Sequence, residues 1–345
     1  MIFSWTGQDR TGQDWRGQAS GQTEMPLSTD RPSPISSPGA TAARSDASAG
    51  RWLVFAATVF WASTATLARF VFRDRHVPPL TVVELRLSIA ALVLFLYLVL
   101  RRRAALRIER RDLGYFLALG LLGVAAVQGS YYFTISKLGV GLAILVQYLA
   151  PTIIVAYNLA RGRWVGWTMI AAVICALAGT GLLVGGVDQA ALHAKPLYWV
   201  IAFLSAFVFA FYIVYSKRGL ARYAPETVLL YTFSIAALFW AFITPPWRIA
   251  AAGYSREMWG IFVLLGLFST LVPFGLFYAG LRRLPAAETS VIATTEPLVA
   301  MVAAAVFLHE QLRPIQLVGA GLVLLAALLA SRNTPEAIQA AVERG

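Results

Sequence analysis

From Trp52 to about Ser331 the chain alternates long apolar runs with short polar breaks. Ten runs of about 20 residues are predicted, each long enough to cross the hydrocarbon core of a bilayer. They cover approximately 52–71, 80–100, 113–135, 140–160, 167–185, 197–216, 227–245, 258–281, 287–307 and 314–331. The runs are apolar nearly all round, unlike amphipathic helices that lie on a soluble core. Transmembrane strands would be about half as long and would alternate polar with apolar positions. The expected fold class is an all-α integral membrane protein.

The apolar pattern repeats. Tyr132 to Pro151 aligns without a gap on Tyr278 to Pro297, a shift of 146 residues. It pairs Lys137 with Arg283, Leu138 with Leu284, and Gly129 with Gly275, and it lays Ser88-Ile-Ala-Ala-Leu92 on Ser234-Ile-Ala-Ala-Leu238. One constant offset over so long a stretch argues for an internal duplication. Spans one to five map onto six to ten, and five is odd, so the copies face opposite ways across the membrane. This is the inverted five-helix repeat common among secondary transporters. The expected organisation is a disordered tail over 1–50, repeats over 51–190 and 197–332, and a second tail over 333–345. The first tail is polar and rich in Gly, Ser, Thr and Pro, and it lacks the apolar core of a secretory signal. Met25 stands as an alternative start to Met1.

Composition agrees: 58% of the 345 residues are hydrophobic and 13% charged, against about 25% charged in a soluble domain. The net charge of +12 does not point to nucleic acid, because the arginines sit in short loops between apolar spans. With both termini cytoplasmic, the inner segments hold 20 of the 29 Lys and Arg and the outer ones 7. That bias sets the expected orientation in the cell's inner membrane. The single Cys175 forms no intramolecular disulfide and says little about redox compartment. His309-Glu310 has no second histidine four residues on, and neither a Walker loop nor a Gly-x-Gly-x-x-Gly is present. No metal site, cofactor or nucleotide engine is therefore expected.

Several motifs resemble the drug/metabolite transporter superfamily, in particular its EamA branch of ten-helix permeases. Trp61-Ala-Ser63 is similar to that branch's first-span Trp-Gly-Ser, with Ala62 at the usual glycine. Pro78 to Arg86 looks like its second-span pattern, and Gly141 to Pro151 like its fourth. Glu296-Pro297, Glu310, Gly319 and Gly321 resemble the matching signature of the second repeat. The resemblance implies transport of small metabolites such as amino acids, often outward, by alternating access. The rivals are a membrane-embedded enzyme acting on lipid and a receptor or scaffold that does not transport. Besides a small substrate and the bilayer, proton coupling and a homodimer are left open.

Carboxylates inside apolar spans are costly and need a reason. Glu296 falls near mid-membrane and Glu288 near the inner end of the ninth span, about 80° apart on a regular helix. Thr295 shares the face of Glu288. A carboxylate away from water can exchange protons near neutrality, so Glu296 reads as a substrate-ammonium or proton site, or as an interhelical hydrogen-bond partner. For Glu288, contact with interfacial water is the favoured reading. Arg86 contacts a substrate carboxylate, snorkels, or fixes packing through an ion pair, and the last two are favoured; Arg69 snorkels. Gln128, Tyr132, Gln147, Tyr148 and Trp61 are expected to line a cavity or to join helices. Pro151 and Pro297 hold matching places in the two repeats. A proline inside a helix frees a carbonyl, and broken helices near the midplane mark transport sites.

Overall fold

A computed structural model describes residues 38–73, 75, 77–184, 194–307 and 313–342, and every regular element among them is a helix. The order is α1 (Pro38–Arg73), α2 (Pro79–Arg101), α3 (Arg110–Leu138), α4 (Val140–Gln147), α5 (Ala150–Ala160), α6 (Trp167–Val184), α7 (Pro196–Leu220), α8 (Pro225–Ile243), α9 (Arg256–Arg283), α10 (Ala286–Ala293), α11 (Glu296–Phe307) and α12 (Pro314–Val342). Short helical turns join some of them. With no water in the bilayer core, a spanning segment must satisfy its own backbone, and a helix does so. Among the described residues, eight helical stretches are long and apolar enough to cross a membrane: α2, α3, α4 with α5, α6, α7, α8, α9, and Pro314–Arg332 of α12. The first and ninth predicted spans correspond to α1 and to the pair α10 and α11.

One expectation needs correction. The tail predicted over 1–50 is helical from Pro38, while residues 1–37 lie outside the described residues. The extension is held by packing of small residues. Ala47 is buried, and a Cβ on Gly50 would sit 2.9 Å from the Leu284 side chain. Asp46 also pairs with Arg283 at 2.8 Å. At the other end, α12 runs on to Val342 through the predicted tail. The fourth and ninth spans are broken close to the two matching prolines. Turns at Tyr148–Leu149 and Thr294–Thr295 split them, because Pro151 and Pro297 lack the N–H that would continue each helix. Glu310 of the family-like signature lies outside the described residues.

The packing has the pattern of a two-fold exchange of the halves. α1 packs on α9 as α3 packs on α7; α1 meets α10 and α11 as α7 meets α4 and α5; α2 packs on α8, and α6 on α12. Irregularities recur at the same offset. π-helical segments in α3 (Leu119–Ala125) and α9 (Leu267–Leu271) end 146 residues apart, as do the two turns. The α6–α12 crossing is close on both sides: a Cβ on Gly179 would lie 2.8 Å from the Gly319 carbonyl, and one on Gly319 would lie 2.8 Å from that of Gly179. Such close approach of backbones is how helices associate in lipid, where the hydrophobic effect offers little.

Candidate functional site

The two broken spans meet inside the bundle. Tyr148, at the break between α4 and α5, donates its hydroxyl to Glu296 Oε2 at 2.6 Å. Glu296 opens α11, where the unsatisfied N–H groups of a helix N-terminus favour a negative charge. Thr295 of the same turn shares a 3.1 Å hydroxyl contact with Thr58 of α1.

Arg86 reaches the same space from α2. Its side chain is buried and donates to the Tyr132 hydroxyl, to Thr270 Oγ1 at 2.8 Å and to the Ser269 carbonyl at 3.0 Å. The carbonyl is available for a local reason. Pro273 stands four residues on, so no N–H is there to donate to the Ser269 oxygen in an α-helical bond, and the π-helical segment sits at this point. π-bulges inside α-helices are frequent at functional sites.

A cavity of about 560 Å³ connects these groups. Trp61, Arg86, Gln128, Tyr132, Gln147, Tyr148 and Glu296 all line it, so seven of the eight predicted substrate residues share one space. Trp61 stands edge-on to Phe274 with ring centroids 5.2 Å apart. Among the described residues neither Arg86 nor Glu296 has an ion-pair partner. The cavity therefore brings one guanidinium and one carboxyl together inside an apolar bundle.

Glu288 is the eighth predicted residue, and it lies elsewhere. It is fully buried and pairs with Arg51 of α1 at 2.7 Å, while Arg51 also donates to the Ser331 carbonyl at 2.8 Å. Nearby, Lys217 Nζ donates to the carbonyls of Leu281 at 2.6 Å, Arg282 at 3.1 Å and Leu284. A cation at the carbonyl end of a helix is favourably placed. Because successive helices alternate in direction, Arg51, Lys217, Leu284, Glu288 and Ser331 lie at one end of the bundle. The cavity lies toward the other, where Ile135 and Val140 flank the α3–α4 turn at Gly139. Gly139 makes that turn with φ 86°, a conformation that costs a residue with a Cβ. The Arg69 side chain lies outside what is described.

Ser269, Thr270, Phe209 and Phe274 also belong to the site and were not singled out from the sequence. One signal was present: Pro273 interrupts an apolar run just after a Ser-Thr pair.

A helical membrane bundle enclosing a charged, aromatic-walled cavity beside two broken spans has the form of a permease. Residues 48–185 and 197–332 each match the EamA-like transporter family, and the chain belongs to that family. It is a multi-pass membrane transporter of a small molecule and not an enzyme. It is similar to the uncharacterized inner membrane transporter YicL of Salmonella typhimurium, with 28% identity over 71% of this chain and 82% of that one. It is also similar to the threonine/homoserine exporter RhtA of Escherichia coli, with 26% identity over 76% and 85%. A transporter of Archaeoglobus fulgidus shares 28% identity over 82% and 99%. One crystal structure matches with a TM-score of 0.66 over 82% of this chain and 96% of that one, at 21% identity, which is a likeness of fold.

Proposed function

We propose that this permease exports small zwitterionic metabolites such as amino acids. The observation that carries the reading is a guanidinium and a carboxyl in one cavity, each without an ion-pair partner among the described residues. Arg86 receives the substrate carboxylate and Glu296 the ammonium, with Gln128, Gln147 and Tyr132 as neutral partners and Trp61 and Phe274 as walls. A volume of about 560 Å³ lies within the range of small-molecule pockets. The RhtA relative, named for export of threonine and homoserine, supports both the substrate class and the direction.

The loop-charge bias supports cytoplasmic termini, which turns the cavity mouth outward and puts the Arg51, Glu288 and Lys217 contacts on the cytoplasmic side. Transport then works by alternating access between two inverted repeats, 51–190 and 197–332, each exchanging its role with the other. The outward step is coupled to protons.

The test is radiolabelled threonine flux in proteoliposomes. Glu296→Gln keeps the shape of the side chain but cannot become an anion. Flux should fall at least about tenfold, the loss of a charged contact, with elution on gel filtration unchanged. Wild-type flux in Glu296→Gln would remove Glu296 as the ammonium site.

A further inference from the structure

The transport reading leaves one buried carboxyl unused. Glu84 lies in α2, one half-turn before Arg86, but it does not line the cavity. Its residue surface is 3% exposed. Oε1 accepts from Ser88 Oγ at 2.7 Å, and Oε2 has no hydrogen-bond partner among the described residues.

The carboxyl is not a demand of the fold. The repeat offset of 146 places Leu230 of α8 at the equivalent position and pairs Ser88 with Ser234. Leu230 is buried as well, so an apolar side chain serves the same place in the sister helix. A carboxyl retained where leucine suffices has another use.

The charged and titratable groups on elements packed against α2 are engaged elsewhere or stand apart. On α9, Glu257 pairs with Arg75, and Arg256 starts the helix. On α3, Tyr132 holds Arg86, Tyr131 meets the Tyr132 ring, and Lys137 lies over the Tyr198 ring. On α8, Glu226 pairs with Arg102 at the far end. Among the described residues, an ionised Glu84 would thus be a buried anion with one hydroxyl for support, which is strongly unfavourable. Metal ions such as Ca²⁺ take six or more oxygens, and one hydroxyl beside a carboxyl falls far short of that. The ligand that fits is a proton.

We propose that Glu84 is the proton site that couples transport. In this conformation the carboxyl keeps its O–H. When α2 shifts against α8 and water reaches the group, that O–H bond breaks, the proton passes to water and the carboxylate is hydrated in its place. Because Arg86 rides on the same helix, the shift that empties Glu84 also moves the cation of the cavity. This rests on the transport reading, but its first test does not.

Infrared spectra of the lipid-reconstituted protein at neutral pH should show the carbonyl stretch of a neutral carboxylic acid, and Glu84→Gln should diminish it. Glu84→Leu, which copies Leu230, is the second variant. In both, threonine flux driven by a pH gradient should fall at least about tenfold while threonine–threonine exchange stays within about twofold, since coupling and substrate binding are separable free energies. The proposal is overturned if the band is undiminished in Glu84→Gln or if gradient-driven flux is unchanged in both variants. Loss of exchange along with gradient-driven flux in folded protein also overturns it, since Glu84 is then a packing residue. A wild type indifferent to the gradient does so too. Failure to carry threonine at all would sink the proposed substrate class, and the infrared band would still decide whether Glu84 holds a proton.

Discussion

Tyr132 and Tyr278 are the same residue of the two repeats, yet they do different things. Tyr132 faces the cavity and holds Arg86. Tyr278 is fully buried, shares a 2.8 Å contact with Ser216 and stacks on Tyr212. The surroundings differ in the same sense. The first half offers Arg86 where the second has Thr232, and the second offers Glu296 where the first has Ala150. Each half contributes one charge to the cavity, and neither can bind a zwitterion alone. At the other end the same asymmetry holds: Glu288 stands where the first half has Leu142, and Lys217 where it has Val71. The duplication thus supplies a symmetric frame, and single substitutions give one end the charged cavity proposed as the binding site and the other a clasp.

The largest effect is expected from breaking the clasp. Arg51→Ala leaves the fully buried Glu288 without its guanidinium, and loss of one partner of a buried pair costs about 3 kcal/mol. A clear drop in the thermal transition in detergent is expected, together with greater reactivity of cysteines introduced at the clasp end. An unchanged transition would mean that the pair is incidental. The tyrosine pair sharpens the comparison. Tyr132→Phe removes a hydrogen bond to a charged group, about 1.5 kcal/mol, and should raise the KM for threonine about tenfold. Tyr278→Phe loses a neutral interhelical bond worth about 0.6 kcal/mol and should change turnover by no more than about threefold with KM unchanged. Equal effects of the two substitutions on KM would erase the distinction between the ends. The smallest effect is expected from Pro273→Ala. It restores an N–H that competes with Arg86 for the Ser269 carbonyl, and KM should rise by about twofold, a few tenths of a kcal/mol.

The apolar runs made the spans legible because every backbone group in lipid must be bonded within its own segment. The offset of 146 was legible because the two copies kept Tyr132 and Tyr278, and Pro151 and Pro297. Arg86 and Glu296 could be picked out as charges in apolar text, but their convergence could not, since one reaches the cavity from α2 and the other from α11. Glu288 shows why. Placing it about 80° from Glu296 assumes an unbroken helix, and the turn at Thr294–Thr295 destroys that register, leaving Glu288 against α1. Ala47 and Gly50 read as tail because small residues carry no apolar signal, yet their smallness is what lets α1 lie close to Leu284. Ser269 was hidden because what binds Arg86 is its carbonyl, made available by Pro273, and no side-chain pattern announces a carbonyl.

The crossing of Gly179 with Gly319 joins α6 to α12, the fifth span of each half. If the halves trade conformations, α1 with α9 becomes α7 with α3, but α6 with α12 maps onto itself. It is an axle: two backbones in close contact at Gly179 and Gly319, where a small residue on each side lets the helices touch. The cost of switching then falls on the contacts away from the axle, where the clasp at Arg51 and Lys217 must open as the cavity around Arg86 and Glu296 closes.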